Sequence, residues 1–375
     1  MTTILVIAGE ASGDLHGAEL LHALKARRPD LRIVGIGGDR MAPHMDRMLA
    51  HVKDIGVVGF VEVLKHLPAL NRLFKQILAA ADEEDIAAAL FIDYPGLNLR
   101  IAKALRKRRP ETKLAQYVCP QVWAWKKGRI PELGNTLDAL YCLFDFEPAL
   151  FDGYPVEAKW VGNPLVEAVR PEVDRESFFA ETGLDPSRPL VALLPGSRAS
   201  EVSRLLPPMV GLVRAWTRER PEVQWTLPVA PTLELGYLKS FLGGLPVRLV
   251  EHRSYAARAC ASAALVASGT ATLETALLGT PFAVVYKLNA LTAFAAKRLV
   301  KLPQVGLANI VAGQEVAPEL LQDAVNPAAL SAVLNTLLDP GESARRRALL
   351  ATVRPHLGEP GAAGRVADDF LTRLP

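Results

Sequence analysis

Pro189-Leu190-Val191-Ala192-Leu193-Leu194-Pro195-Gly196-Ser197-Arg198-Ala199-Ser200-Glu201-Val202 decides the fold. An apolar run stops at Pro195-Gly196, a polar turn follows, and Val202, Leu205, Leu206, Met209, Val210 and Val213 then recur at helical spacing. A strand, tight turn and helix opening halfway along a 375-residue chain mark the start of a second α/β domain. Gly196 admits close backbone approach, the helix start offers unpaired N–H groups, and Arg198 adds a forked cation. Gly196, Ser197 and Arg198 are therefore candidate ligands of a diphosphate. The plainer reading is a β–α turn whose Arg198 pairs with Glu201.

A second turn of the same kind lies downstream. The strand at 263–267 ends in Ser268-Gly269-Thr270, and helical spacing resumes at Leu273, Ala276 and Leu277. Backbone N–H groups, Ser268 and Thr270 suit a phosphate. Glu274, one turn further in, suits a ribose diol or else closes a capping box. Strands are also expected at 224–229, 247–250 and 281–286, with a basic amphipathic segment at 291–301 containing Lys297, Arg298 and Lys301.

The first half repeats the architecture without repeating the sequence. Ile4–Ala8 reads as a buried strand, followed by Gly9-Glu10-Ala11-Ser12-Gly13-Asp14 and a helix. Two carboxylates in this turn would repel a pyrophosphate, so Glu10, Ser12 and Asp14 fit a hydroxyl-rich acceptor better. Further strands are expected at 31–36, 88–92, 114–118 and 139–143. The 88–92 strand ends in Asp93, and in an open α/β sheet that end is where a general base belongs. The competing reading of Asp93 is a cap on the next helix. The loop after 118 carries Trp123, Trp125, Lys126, Lys127 and Arg129, which suit a sugar or apolar ligand unless the tryptophans only anchor the loop. Residues 159–165 read as the crossing between domains. Residues 56–79 are apolar with Lys65, His66, Arg72 and Lys75 among them, and Pro68 is expected to split them into two helices. On composition alone, packing on the sheet is favoured there over a membrane-surface patch.

Bulk properties narrow the function. Half the residues are hydrophobic and the net charge is only +3, so the chain is an ordered globular protein with no case for nucleic acid. Three cysteines without CxxC spacing fit a reducing compartment and give neither a zinc site nor a disulfide framework. The start of the chain has no basic n-region, and no run of 18 apolar residues occurs, so neither a signal peptide nor a spanning helix is expected.

Two α/β halves with the nucleotide signals in the second suggest a GT-B-type glycosyltransferase. GEASGD at 9–14, GGDRM at 37–41, GFVEVL at 59–64, Ile92-Asp93-Tyr94-Pro95 with Asn98, PQVWAW at 120–125, LLPGSR-x-x-EV at 193–202, ASGTATLE at 267–274 and PELLQ at 318–322 go further. As an ordered set from about residue 4 to about 325 they resemble the lipid-A-disaccharide synthase family. The resemblance implies an α/β fold of two Rossmann-like parallel-sheet domains facing a cleft. It divides the chain into an acceptor- and lipid-binding domain at 1–164, a UDP-sugar domain at 165–350 and a helical tail at 351–375 packing back on the first. It implies inverting transfer from UDP-2,3-diacylglucosamine to 2,3-diacylglucosamine 1-phosphate, giving a β-1,6-linked disaccharide 1-phosphate and UDP without a metal or other cofactor. The setting it implies is cytoplasmic, peripheral at the inner face of the cytoplasmic membrane, and it admits a homodimer. By motif, Asp93 resembles the base, Arg198 the donor-phosphate cation with Ser268, Gly269 and Thr270 beside it, Glu274 the ribose ligand and Asn309 a residue near the nucleotide. Glu10, Ser12 and Asp14 would lie near the sugars, with Glu10 and Asp14 as catalytic candidates beside Asp93 and the alternative bases, and acyl chains would favour Val57, Val58 and Phe60 as membrane contacts. The chain departs from the family pattern at Gly96, Leu97, Asn163 and Ala308. The rival readings are a UDP-sugar epimerase of the same fold and a non-catalytic nucleotide- or lipid-binding relative.

Overall fold

A computed structural model describes residues 2–55, 63–124, 126–288 and 304–375. The chain forms two compact units, Met1–Pro164 joined by Leu357–Pro375, and Leu165–His356. The return to the first unit comes later than the expected boundary at 351.

The first unit is built on seven parallel strands: β1 (Thr3–Ala8), β2 (Arg32–Gly37), β3 (Arg47–His51), β4 (Ala88–Ile92), β5 (Lys113–Tyr117), β6 (Ala139–Cys142) and β7 (Glu157–Trp160). Their order is β3-β2-β1-β4-β5-β6-β7. Side chains alternate between two cores, because successive residues of a strand point to opposite faces. Leu5, Ile7, Ala89 and Phe91 join one core, while Ile4, Val6, Leu90 and Ile92 join the other. Both faces are thus covered, which is why the central strands read as continuous apolar runs. The C-terminal helix Ala362–Leu371 adds Val366, Ala367 and Phe370 to the core of Leu20, Leu21 and Leu24 on helix Ala11–Arg27. Asp369 anchors it by accepting from Tyr141 Oη at 2.7 Å.

Two readings of the first half change. Helix Val63–Glu83 runs unbroken through Pro68. Ile77 and Ala81 are buried under the sheet and Leu73, Phe74 and Leu78 pack against it, so tertiary contact outweighs the one backbone bond a proline removes. The crossing at 159–165 begins inside β7, and the units change at Pro164 and Leu165.

The second unit has six parallel strands: β8 (Leu190–Leu194), β9 (Gln224–Pro228), β10 (Val247–Val250), β11 (Ala263–Ala267), β12 (Phe282–Tyr286) and β13 (Glu319–Leu321), ordered β10-β9-β8-β11-β12-β13. Helix Ala199–Glu219 buries Val202, Leu205, Leu206, Met209, Val210 and Val213, the stripe visible in the sequence. Among the described residues, no helix is long and apolar enough to cross a membrane.

Candidate active site

Each sheet reverses its strand order once, at β1/β4 in the first unit and at β8/β11 in the second. Such a reversal parts the flanking loops and opens a crevice beyond the carboxyl ends of the strands. The polar turns singled out in the sequence follow these four strands.

At β1/β4, the turn after β4 is strained. Asp93 and Tyr94 have φ of +51° and +42°, left-handed values that cost non-glycine residues about 1 kcal/mol or more each. Hydrogen bonds hold it in place. Asp93 N donates to Tyr117 O at 3.0 Å. Asp93 O accepts from Asn98 Nδ2 at 2.7 Å and from Gln116 Nε2 at 3.0 Å. The Tyr94 ring lies where a side chain on Gly9 would be, 2.2 Å from an ideal Cβ, so the two turns interlock only with glycine there. The Asp93 carboxylate crosses the reversal to accept from Ser12 Oγ at 3.0 Å. Helix Pro95–Arg108 receives no side-chain cap, so Asp93 is not its cap. One turn after Ser12, the largely buried His16 lies edge-on to Tyr117, ring centroids 6.2 Å apart. Burial lowers its pKa, against the opposing pull of Asp93.

Asp14 and Trp123 take other roles than those expected. The buried Asp14 carboxylate accepts from Gly38 N at 2.6 Å, Met41 N at 3.1 Å and Arg40 N at 3.2 Å. It holds the turn after β2 and is not placed as a base. Asp14→Ala strands three N–H groups and should lower unfolding free energy by about 2–4 kcal/mol in denaturant titration. Wild-type stability with lost activity would instead return Asp14 to catalysis. Trp123 is buried, donates to Glu147 Oε1 at 3.0 Å and meets the Phe144 and Phe146 rings edge-on, so it anchors its loop rather than lining a ligand site. Glu10 precedes helix Ala11–Arg27 and is exposed. Trp125, Val57, Val58 and Phe60 lie outside the described residues.

Cys119, Cys142 and Glu147 place one ligand atom each within 4.8 Å of the others, all three residues buried. Burial pushes the Glu147 carboxyl up to about 7, although Trp123 and the Phe144 and Leu143 N–H groups favour its charged form. Its oxygens already accept those three donors. Three donors with a committed carboxylate suit a structural cap better than a tetrahedral metal site.

At β8/β11, the chain's own carboxylate holds the first turn. Glu201 Oε2 accepts from Ser197 N at 3.1 Å and Arg198 N at 3.4 Å, and Oε1 accepts from Arg198 Nη1 at 3.0 Å. Gly196 has φ +109°, and a Cβ there would stand 2.3 Å from Glu201 Oε2. The close approach that needs glycine is thus made by Glu201, and the plainer pairing is the one present. Arg198 keeps 76% of its side chain exposed, so a second anion can reach it.

The other turn is more open. Gly269 has φ +141°, with no atom of the described residues within 4 Å of an added Cβ, and Thr270 is exposed at the helix start. Ser268 Oγ donates to Val305 O at 2.8 Å. Glu274 closes no capping box; its oxygens accept from Arg258 Nη1 at 2.7 Å and Tyr255 Oη at 3.1 Å. Asn309 is enclosed. Its amide nitrogen donates to Ala317 O and Glu319 Oε1, both at 2.8 Å, and its oxygen accepts from Val316 N and Ala317 N, both at 2.9 Å. Those four bonds fill an amide's capacity, so Asn309 braces the loop and does not reach a nucleotide. Sequence reasoning missed Gln116, Glu147, Tyr255, Arg258 and Glu319, whose site contacts to Asp93, Trp123, Glu274 and Asn309 lie 10 to 24 positions away and leave no spacing signal.

The lipid-A-disaccharide synthetase family profile matches residues 4–360. A lipid-A-disaccharide synthase of Anaeromyxobacter dehalogenans is 41% identical over 374 residues, covering 98% of this chain and 96% of its own. Among solved structures, a UDP-GlcNAc 2-epimerase from Neisseria meningitidis bound to UDP-GlcNAc aligns at TM-score 0.66 with 9% identity, covering 99% of this chain and all of its own. The glycotransferase of kitacinnamycin aligns at 0.65 with 16% identity, covering 100% and 99%. At such identities these two establish a shared fold only.

Proposed function

The chain belongs to the lipid-A-disaccharide synthase family, glycosyltransferases of lipid A biosynthesis, and we propose that it works by one metal-independent, inverting displacement in which Asp93 is the base. The donor is UDP-2,3-diacylglucosamine and the acceptor 2,3-diacylglucosamine 1-phosphate. The acceptor hydroxyl oxygen bonds to C1 of the donor sugar as its proton passes to Asp93. The C1–O bond to the diphosphate breaks, and UDP leaves with the bonding pair. An α-linked donor then gives a β-linked product in one step. Arg198 and the N–H groups of Gly269 and Thr270 offset the charge gathering on the leaving diphosphate, as fixed dipoles and cations do without reorganising, while the Ser268 N–H is held by Val285 O at 3.2 Å. Glu274 takes the ribose diol.

The observation carrying this reading is the pinned, left-handed turn at Asp93. Strain is retained where a side chain must be aimed, and this carboxylate is aimed at Ser12 rather than at a helix end. UDP release with and without acceptor is the test. A transferase releases UDP only when acceptor is present; equal release without it would contradict the reading.

Acylated substrates also call for a lipid surface. From residue 71 on, helix Val63–Glu83 turns Arg72 and Lys75 to solvent and packs Ile77 and Ala81 inward, which supports a membrane contact earlier in the 56–79 stretch. Replacing Val57, Val58 and Phe60 together by Ser should abolish co-sedimentation with anionic vesicles and leave UDP binding intact, and salt should weaken the wild-type association. Wild-type vesicle binding by the triple variant would contradict the assignment.

A further inference from the structure

Glu274 is held from two sides by residues that the family motif around it does not contain. Arg258 Nη1 donates to Oε2 at 2.7 Å and Tyr255 Oη to Oε1 at 3.1 Å. Arg258 is itself fixed. Its side chain is 5% exposed, against 18% for Glu274. Its Nε donates to Ser254 O at 3.2 Å and its Nη2 to Ser254 Oγ at 3.0 Å. Its guanidinium lies 4.9 Å from the Tyr255 ring centroid. The helix carrying both, Ser254–Cys260, is tied at its start by Glu172, which accepts from Tyr255 N at 3.0 Å and Ala256 N at 2.8 Å.

A carboxylate has about four lone-pair positions, and two are used here. One acceptor position therefore remains on each oxygen, a match for two adjacent hydroxyls. A lone glutamate would lose rotamer freedom on gripping a diol; one already held loses far less.

We propose that Tyr255 and Arg258 are positioning residues that lock the Glu274 carboxylate as a two-pronged acceptor for the donor's ribose diol and so set the preference for a ribonucleotide over a 2′-deoxyribonucleotide. This rests on the assignment of Glu274 to the ribose. A purely structural ion pair would contribute to stability and leave the choice of sugar alone.

Calorimetric titration with UDP and with 2′-deoxy-UDP tests it, alongside thermal unfolding. The wild type should bind UDP about 10-fold or more tighter than the deoxy form, the worth of one hydrogen bond to a charged group. Tyr255→Phe should cut that ratio to about 3-fold with little change in Tm, and Arg258→Lys, which keeps the charge and loses the fork, should cut it at least as far. Glu274→Gln checks the underlying assignment. If that variant discriminates like the wild type, the ribose assignment falls and the inference with it. If Glu274→Gln loses discrimination while Tyr255→Phe and Arg258→Lys keep the full ratio, the clamp alone is overturned. Should Arg258→Lys fail to fold, Tyr255→Phe still decides.

Discussion

Asp93→Asn is expected to lower kcat by about 10²–10⁴-fold and to leave UDP affinity near the wild-type value. The amide keeps the shape of the carboxylate and removes its basicity. The turn itself should survive, because Asn98, Gln116 and Tyr117 hold it through the Asp93 backbone N–H and carbonyl, which the substitution leaves in place. The Ser12 hydroxyl can donate to the amide oxygen as it does to Oδ2. A loss in kcat would therefore report proton transfer and not misfolding, and pre-steady-state mixing with both substrates would measure it directly. A kcat near wild type would contradict the assignment. The search for a base would then move to Glu10, since Asp14 spends its carboxylate on three backbone N–H groups.

Arg198→Ala is expected to lower kcat/KM by about 30-fold or more, equivalent to ~2 kcal/mol of lost transition-state stabilisation. Arg198→Lys should recover part of it, because the charge returns without the fork. Glu201 sharpens this expectation. It already occupies two turn N–H groups and the Arg198 guanidinium, so an incoming diphosphate meets a cation with a resident partner. That pair is largely exposed on the arginine side, where an ion pair is worth little and is easily shared. Unchanged kinetics and unchanged UDP affinity in Arg198→Ala would leave the residue as the ion-pair partner of Glu201 alone.

Most of the fold was legible because its central strands are buried on both faces and read as apolar runs closed by glycine turns. β1, β4, β8 and β11 are all of this kind, and the turns that follow them carry the candidate site. The edge strands of the first unit were not legible, although the edge strand β10 of the second was. β3 (Arg47–His51) and β7 (Glu157–Trp160) contain exposed residues and no fully buried one, so their sequences lack the apolar signature. Pro68 misled because propensity is local, whereas the turns at Ile77 and Ala81 are held by the sheet. Within the site, residue types were legible and bonding was not. Sequence placed carboxylates at 14, 93 and 274, but only in the fold is Asp14 spent on a turn, Asp93 within reach of Ser12, and Glu274 clamped by a residue 16 positions upstream. Asn309 carries the same lesson. Its motif suggests a nucleotide contact, and its four internal hydrogen bonds leave it nothing to offer one.

The most direct test of the account is the structure of the product. The enzyme would be incubated with UDP-2,3-diacylglucosamine and 2,3-diacylglucosamine 1-phosphate, without added metal and with a chelator present, and the product examined by mass spectrometry and anomeric-proton NMR. The account predicts a disaccharide 1-phosphate with a β anomeric linkage and one UDP released per disaccharide. An α linkage, a requirement for metal, or a UDP-sugar epimer formed from the donor alone would contradict it.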